Sequence, residues 1–217
     1  MVFLTEKGDF FVLSYLEASN ELITLIHANV IPSDCQPSRN CQLVSIDIAN
    51  QFIAVHTTIG IIQLISYEIN GADINFKKAF PLRVMELEIM DMSFVSSVKS
   101  GPSSGATLAV LHQIPMKMPH IKTYEVVKSG NTFNLSSLTY SMSDLSYRIV
   151  PVPEPRGGFL VISSDRIIYT NPVSNVIRKV IFIPTYFTAV APVDNDGFRF
   201  IFGASSGEFF ILLILAN

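Results

Sequence analysis

The feature that most constrains the fold is a repeated pattern in which two short apolar strands flank a tight polar turn. It occurs five times, at residues 2–16, 52–69, 108–127, 159–170 and 198–215, with a longer loop in place of the tight turn at 108–127. The strands are rich in Ile, Val, Phe and Tyr, which suit a pleated and largely buried surface. Most of the turns contain Gly, Asp or Ser, as hairpin turns require. Since no segment sustains the 3.6-residue period of an amphipathic helix, the sequence predicts an all-β chain.

Further strand candidates lie between these hairpins and alternate more clearly between apolar and polar residues. Glu86 and Glu88 alternate with Leu87 and Ile89, which predicts a strand with one solvated face. Hairpins apolar on both faces, separated by alternating strands, are typical of β-propeller blades, which take about 40–50 residues each. The alternating candidates are residues 21–30, 83–92, 147–152, 176–183 and 187–193.

The length of 217 residues accommodates about four to five four-stranded blades. A two-sheet sandwich would show similar strands without repetition at the level of hairpins. The chain has no Trp, so the dipeptide typical of WD40 repeats is absent. No matching pair of terminal strands is present to close the ring. We therefore expect residues 1–217 to form a partial β-propeller, either a fragment or a single domain whose partner blades lie elsewhere.

Charge and composition narrow the classes of partner. Fifteen Lys and Arg residues face eighteen Asp and Glu residues without a basic run, so no surface is predicted that would bind nucleic acid directly. The longest apolar run, residues 209–216, is far shorter than the roughly 20 residues of a membrane-spanning helix, and no membrane contact is expected. Cys35 and Cys41 have no neighbouring His, so no zinc site is predicted.

Motifs that resemble catalytic or metal sites are better explained as turns or packed side chains. The Gly-x-Ser-x-Gly pattern at 101–105 and 203–207 leads into strands, whereas a hydrolase nucleophile requires a following helix. The Asp-Asn-Asp-Gly run at 194–197 lacks the later ligands of a calcium loop and favours a hairpin turn. Glu86 and Glu88 are interpreted as a solvated strand face. Four scattered histidines, none at metal-ligand spacing, are interpreted as packed or surface residues: His27, His56, His112 and His120. The sequence predicts neither an enzyme nor a cofactor.

Residues 147–171 read YRIVPVPEPRGGFLVISSDRIIYTN, with a Val-Pro-x-Pro-x-Gly-Gly run before an apolar strand and an Ile-x-Tyr-x-Asn strand after it. This segment resembles the family of multi-propeller scaffolds that includes damage-specific DNA-binding protein 1. The large subunit of the cleavage and polyadenylation specificity factor and subunit 3 of splicing factor 3b share that architecture. The similarity extends to residues 27–67, 120–134 and 193–215. The matching residues of the first segment are Pro153, Glu154, Pro155, Gly157, Gly158, Ile168, Tyr169 and Asn171.

The resemblance implies a non-enzymatic scaffold from the first propeller of the family. The segments 154–158 and 122–126 look closest to the adaptor of cullin-4 ubiquitin ligases. In that adaptor the first and third propellers receive helical segments of WD-repeat substrate receptors, and cullin-4 binds through another propeller. The implied function is therefore in ubiquitin ligation and DNA repair, in the nucleus and cytoplasm, with DNA contacted only through partners. The first alternative is a scaffold in mRNA 3′-end processing or splicing. The second alternative is a propeller enzyme that uses acidic residues around the mouth of its channel.

The resemblance also indicates a partner-contact loop at residues 29–40, because a long polar loop at a blade rim can present pockets without disturbing the blades. The family pattern has Arg where this chain has Gln36 and Gly where it has Cys41. A loop that only connects two blades is the alternative. The predicted contact residues are Asn29, Gln36, Pro37, Ser38 and Arg39.

Overall fold

The structure is a computed structural model, and it describes residues 2–5, 8–17, 19–31, 43–70, 73–77, 79–85, 88–96, 106–113, 118–126, 139–142, 145–171 and 179–215. Nineteen strands and no helix fall in these ranges, so the predicted all-β fold is confirmed. No helix of the described ranges could therefore span a membrane. The chain divides into two compact units, Met1–Glu88 and Ile89–Asn217, which are described separately.

The first unit contains two antiparallel sheets. One has the order β1-β2-β3, and the other has the order β4-β5-β6-β7 with β8 also paired to β6. β5 is buried along its whole length, as expected for a middle strand with two covered faces. The strands are β1 (Val2–Leu4), β2 (Asp9–Leu16), β3 (Glu21–Asn29), β4 (Leu43–Asp47), β5 (Phe52–Thr58), β6 (Ile61–Asn70), β7 (Asp73–Phe76) and β8 (Phe80–Arg83).

The second unit contains three antiparallel sheets, each made of strands consecutive in the chain. Their orders are β12-β11-β10-β9, β13-β14-β15-β16 and β17-β18-β19. The strands are β9 (Glu88–Val95), β10 (Ala106–Gln113), β11 (His120–Val126), β12 (Thr139–Ser141), β13 (Ser146–Pro151), β14 (Phe159–Ser163), β15 (Arg166–Thr170), β16 (Lys179–Phe182), β17 (Phe187–Pro192), β18 (Arg199–Ala204) and β19 (Phe209–Leu213).

The apolar cores lie between consecutive sheets. In the first unit Phe10 of β2 packs with Ile53 of β5 and Ile65 of β6. In the second unit alternate residues of β14 face opposite cores. Phe159 and Val161 join the core shared with β10 and β11, whereas Leu160 and Ile162 join the core shared with β17 and β18. A strand buried on both faces in this way stacks the sheets one on another, as propeller blades require.

All five predicted hairpins are present, as β1–β2, β5–β6, β10–β11, β14–β15 and β18–β19. The described strands form five sheets, which agrees with the upper end of the predicted number of blades. No described sheet combines strands from the beginning and the end of the chain, in agreement with the expected open ring.

The predicted continuous strand over residues 83–92 is wrong. Arg83 ends β8; the amide of the next residue still donates to the carbonyl oxygen of Gly60 at 2.9 Å, and the residue after it lies in a bend outside any strand. β9 then begins at Glu88, which is exposed, while Ile89 is buried. Glu86 and Leu87 lie outside the described residues. The prediction, which used only the alternation of apolar and polar residues, therefore merged the end of β8 with the beginning of β9.

The Pro-Gly segment that carries the family resemblance connects β13 to β14. Gly157 and Gly158 have φ values of 62° and 79°, in the left-handed region that favours glycine. A Cβ on Gly158 would lie 2.4 Å from the carbonyl oxygen of Thr170, so only glycine fits there. Tyr169 donates a hydrogen bond to the carbonyl oxygen of Gly157 at 3.0 Å, and Asn171 donates one to that of Arg156 at 3.2 Å. The motif residues thus act together to hold one turn.

Candidate partner-binding site

Asn29 ends β3 and fixes the first residues of the predicted contact loop. Its Nδ2 donates a hydrogen bond to Oδ1 of Asp9 at 3.3 Å, and its Oδ1 accepts one from the amide of Ile31 at 3.0 Å. The side chain is exposed, so this frame lies at the surface. Asn29 therefore positions the beginning of the loop. The other four predicted residues lie outside the described residues: Gln36, Pro37, Ser38 and Arg39.

Gly8, which precedes β2, also helps to position the beginning of the predicted contact loop. The amide of Val30 donates to the carbonyl oxygen of Gly8 at 2.9 Å. Gly8 has a φ of 79°, and a Cβ there would lie 2.3 Å from Cγ1 of Ile31. Ile31 can occupy its position only because residue 8 has no side chain. The β1–β2 turn thus holds the path of the chain into the loop.

A cavity of about 300 Å³ opens beside Asn29. Its volume is at the lower end of the usual range for binding pockets, and its lining is mainly apolar with a few polar groups, as is typical of such sites. Gln63 stands out because it is the polar residue within the apolar run Ile61–Ile65 of β6, and it is buried. The lining residues are Phe10, Ala28, Asn29, Val30, Ile31, Gln63, Ile65, Phe76, Lys77 and Ala79.

The surface around this cavity carries charges of both signs. Nε2 of His27 lies 3.6 Å from Oδ1 of Asp9, and its ring stacks on Phe11 with the ring centroids 4.4 Å apart. Lys77 forms an exposed ion pair with Glu68. The cavity can therefore accept apolar side chains, while the amides and charges around it can orient the segment that carries them.

A second cavity of about 350 Å³ lies within the second unit and was not predicted. Residues from or next to the first strands of three consecutive sheets line it: Met90, Asp91, Tyr147, Arg148, Tyr186, Phe187 and Thr188. A sequence signal for this cavity was Asp91, which is a polar residue between Met90 and Met92 in β9. That these three strands share one cavity depends on tertiary packing, which local patterns do not report.

Asp91 has an unusual electrostatic environment in this second cavity. Burial raises its pKa to about 6, although amide hydrogen bonds from Ile149 and Met92 and the charge of Arg148 act in the opposite direction. The amide of Ile149 donates to Oδ2 at 2.6 Å, and that of Met92 donates to Oδ1 at 2.9 Å. The carboxylate is therefore held by backbone groups yet incompletely compensated in charge.

The histidines are less scattered than the sequence suggested. His112 and His120 are cross-strand partners in β10 and β11, with ring centroids 5.9 Å apart. Nδ1 of His56 lies 3.1 Å from the carbonyl oxygen of Ile61, and burial lowers the pKa of this side chain. Within the described ranges no group of three or more His, Cys, Asp or Glu residues could hold a metal ion. Cys35 and Cys41 lie outside those ranges.

The remaining motifs form turns where they are described. Ser205 lies in the turn between β18 and β19, so the second Gly-x-Ser-x-Gly copy forms a hairpin turn as predicted. Asp194 accepts hydrogen bonds from the amide of Phe198 at 3.1 Å and from Nε of Arg199 at 2.7 Å, which closes the turn before β18. The first Gly-x-Ser-x-Gly copy and Glu86 lie outside the described residues.

Stacked antiparallel sheets with buried middle hairpins are typical of β-propeller domains. The family described as RSE1/DDB1/CPSF1 first beta-propeller matches residues 1–216, and the chain belongs to that family. The resemblance drawn from residues 147–171 is thereby confirmed.

Similar proteins were also found among curated sequences. DNA damage-binding protein 1b and DNA damage-binding protein 1a of Arabidopsis thaliana are 30% and 29% identical to this chain over 211 residues. DNA damage-binding protein 1 of Oryza sativa subsp. japonica is 29% identical over 212 residues. Each alignment covers 97% of this chain and 18% of the relative. The chain thus spans about a fifth of the length of these relatives.

Proposed function

We propose that this chain is a scaffold that binds segments of partner proteins and catalyses no reaction. The observation that carries the proposal is the apolar cavity beside Asn29, at the beginning of the predicted contact loop. Membership of a propeller family whose curated relatives here are named DNA damage-binding proteins supports it. The proposal treats residues 1–217 as a partial N-terminal propeller.

The cavity would act by burying apolar side chains of an inserted segment. An amphipathic helix presents such side chains at a spacing of three or four residues, and each one buried contributes about 1.5–3 kcal/mol. Phe10, Ile65 and Phe76 supply the apolar surface. Asn29 and Lys77 lie beside them and can bond the polar face of the segment. The lining residues lie on or beside hydrogen-bonded strands of the two sheets of the first unit, so the cavity forms without a bound partner.

In its more specific form, the proposal assigns the chain to the adaptor of a cullin-4 ubiquitin ligase that serves DNA repair. The partners are then WD-repeat substrate receptors, with cullin-4 bound by other parts of a longer protein. DNA is reached only through those partners, because a net charge of −3 without a basic run gives no surface for phosphates. Such an adaptor works in the nucleus and cytoplasm.

The family description also includes RSE1 and CPSF1, so a scaffold in mRNA 3′-end processing or splicing is the second candidate. Affinity purification of the full-length gene product, followed by mass spectrometry, separates the two. Cullin-4 and WD-repeat receptors are expected. Polyadenylation or splicing factors in their place would support the second candidate, and recovery of neither set would contradict both scaffold functions.

A further inference from the structure

The second cavity has a regular construction. β9, β13 and β17 are the first strands of three consecutive sheets, and each of the first two sends a side chain to the backbone of the next strand. Asp91 on β9 accepts from the amide of Ile149 on β13. Tyr147 on β13 bonds both the amide and the carbonyl group of Phe187 on β17, at 2.9 and 3.0 Å. These contacts fix the cavity walls in place.

Among the residues that the structure describes, no Lys, Arg or His side chain forms an ion pair with Asp91, although the charge of Arg148 acts on it. The charged and titratable groups that face the carboxylate from β13 and the residue before β17 are Arg148, Tyr147 and Tyr186. Nη1 of Arg148 is directed to the carbonyl oxygen of Thr188 at 3.4 Å. A half-buried carboxylate without an ion-pair partner is unfavourable, since its charge has lost part of its solvation.

The other walls are aromatic. The rings of Tyr147 and Tyr186 stack with centroids 4.5 Å apart, and Tyr186 is 50% exposed, so solvent reaches this side chain. An organic cation is attracted to the face of an aromatic ring within about 6 Å of its centroid. A bare metal ion would need several oxygen ligands, and the described residues offer no cluster of that kind. Carboxylate and aromatic rings together favour a cation carried on an alkyl chain.

We propose that this second cavity binds the ammonium or guanidinium group of a Lys or Arg side chain from a partner protein. Asp91 provides the negative charge, Tyr186 provides the ring face, and the apolar stem of the side chain packs against Met90. Arg148 weakens the site through repulsion, and its bond to Thr188 keeps its guanidinium group to one side. The site belongs to the second unit and is therefore a contact distinct from the cavity beside Asn29.

The test is an NMR titration of the ¹⁵N-labelled chain with N-acetyl-lysine methylamide and N-acetyl-arginine methylamide. The amides of Ile149 and Met92 report directly, because both donate hydrogen bonds to Asp91. We expect saturable shifts at these amides. N-acetyl-norleucine methylamide, which has an alkyl chain without charge, should leave them unchanged. Putrescine serves as a second probe, which tests whether the cavity binds a free polyamine and not a protein side chain.

Two further measurements identify the carboxylate. D91N should weaken binding of the lysine probe by about tenfold or more, whereas D196N, which removes an exposed carboxylate, should change it by less than about twofold. In the unmodified chain, binding should weaken about tenfold from about pH 7.5 to pH 5 because Asp91 becomes protonated. This pH series keeps the test decisive if D91N fails to fold.

Three results would overturn the proposal. Equal shifts with the norleucine probe would show that the charge is not recognised. Binding that is insensitive to both D91N and pH would show that Asp91 is not the counter-ion. Putrescine bound about tenfold more tightly than the lysine probe would assign the cavity to free polyamines and not to a protein side chain.

Discussion

The hydroxyl group of Tyr147 lies between the backbone amide and carbonyl groups of Phe187, accepting a hydrogen bond from the first at 2.9 Å and donating one to the second at 3.0 Å. These two residues belong to different sheets, so one side chain satisfies two backbone groups of the neighbouring sheet. Phe187 is only 1% exposed, and water cannot easily replace the hydroxyl group.

Removal of that hydroxyl group should destabilise the fold. Y147F leaves two backbone groups of Phe187 without these partners, which costs about 1–3 kcal/mol in the free energy of unfolding. The matched control is Y186F, because the hydroxyl group of this half-exposed ring can be solvated; it should change stability by less than about 0.5 kcal/mol. Urea unfolding measures both. Equal stabilities for the two variants would contradict the role given to Tyr147.

Gly8 should be far less tolerant of a side chain than Gly207. Both have positive φ values, 79° and 89°, so alanine strains the backbone at either position. A Cβ at residue 8 would lie 2.3 Å from Cγ1 of Ile31, whereas nothing lies within 4 Å of a Cβ at residue 207. G8A should therefore lower the free energy of unfolding by about 1–3 kcal/mol more than G207A. Similar losses in chemical denaturation would show that Ile31 adapts without difficulty.

The raised pKa of Asp91 predicts a particular pH dependence. Because its pKa is about 6 in the folded chain and near 3.8 in the unfolded one, its stabilising contribution is complete below pH 3.8 and is lost as the pH rises through 6. Comparison with D91N separates this effect from that of the other carboxyl groups. Between about pH 4 and pH 7.5 the unmodified chain should lose on the order of 2 kcal/mol relative to D91N. A stability difference that is constant over this range, or that grows in favour of Asp91, would exclude the raised pKa.

The last sheet should make the chain self-associate. On β19 Phe209, Ile211 and Leu213 are 76%, 69% and 55% exposed, so one face of an edge strand is an apolar surface. I211K adds a charge to that face and should shift sedimentation-velocity profiles towards monomer. L212K places the same charge on the opposite face, which packs against the core, and should lower the melting temperature instead. A monomeric unmodified chain with a sharp melt would refute this prediction.

The sequence patterns predicted the hairpins well because each pairs strands that are adjacent in the chain, in most cases across a short turn. The strands missed were β4, β7, β8 and β12, none longer than five residues. A strand of this length carries too few residues to show a period, and β8 also contains Pro81, which argues against a strand. These short strands form because they pair with neighbouring strands, and their own sequences favour a strand only weakly.

The candidate sites were predicted less completely. The family resemblance led to the prediction that Asn29 contacts a partner, but the cavity beside it also depends on Gln63 and Phe76, which reach it only through the packing of two sheets. Asp91 and Ile149 are 58 residues apart in the chain, and their hydrogen bond depends on how the sheet that contains β9 packs against the sheet that contains β13. Local periodicity does not determine the packing of two sheets, so it could not reveal the second cavity.

The central claim is that the cavity beside Asn29 holds partner proteins, and filling it tests the claim most directly. Ala28 is exposed at the cavity, so A28T and the larger A28W introduce graded bulk without altering the core. A191W adds the same bulk at an exposed position on β17. In quantitative affinity purification of the full-length product, A28W should reduce recovery of WD-repeat receptors about tenfold or more, A28T should reduce it less, and A191W should leave it unchanged. Full recovery with A28W would contradict the account.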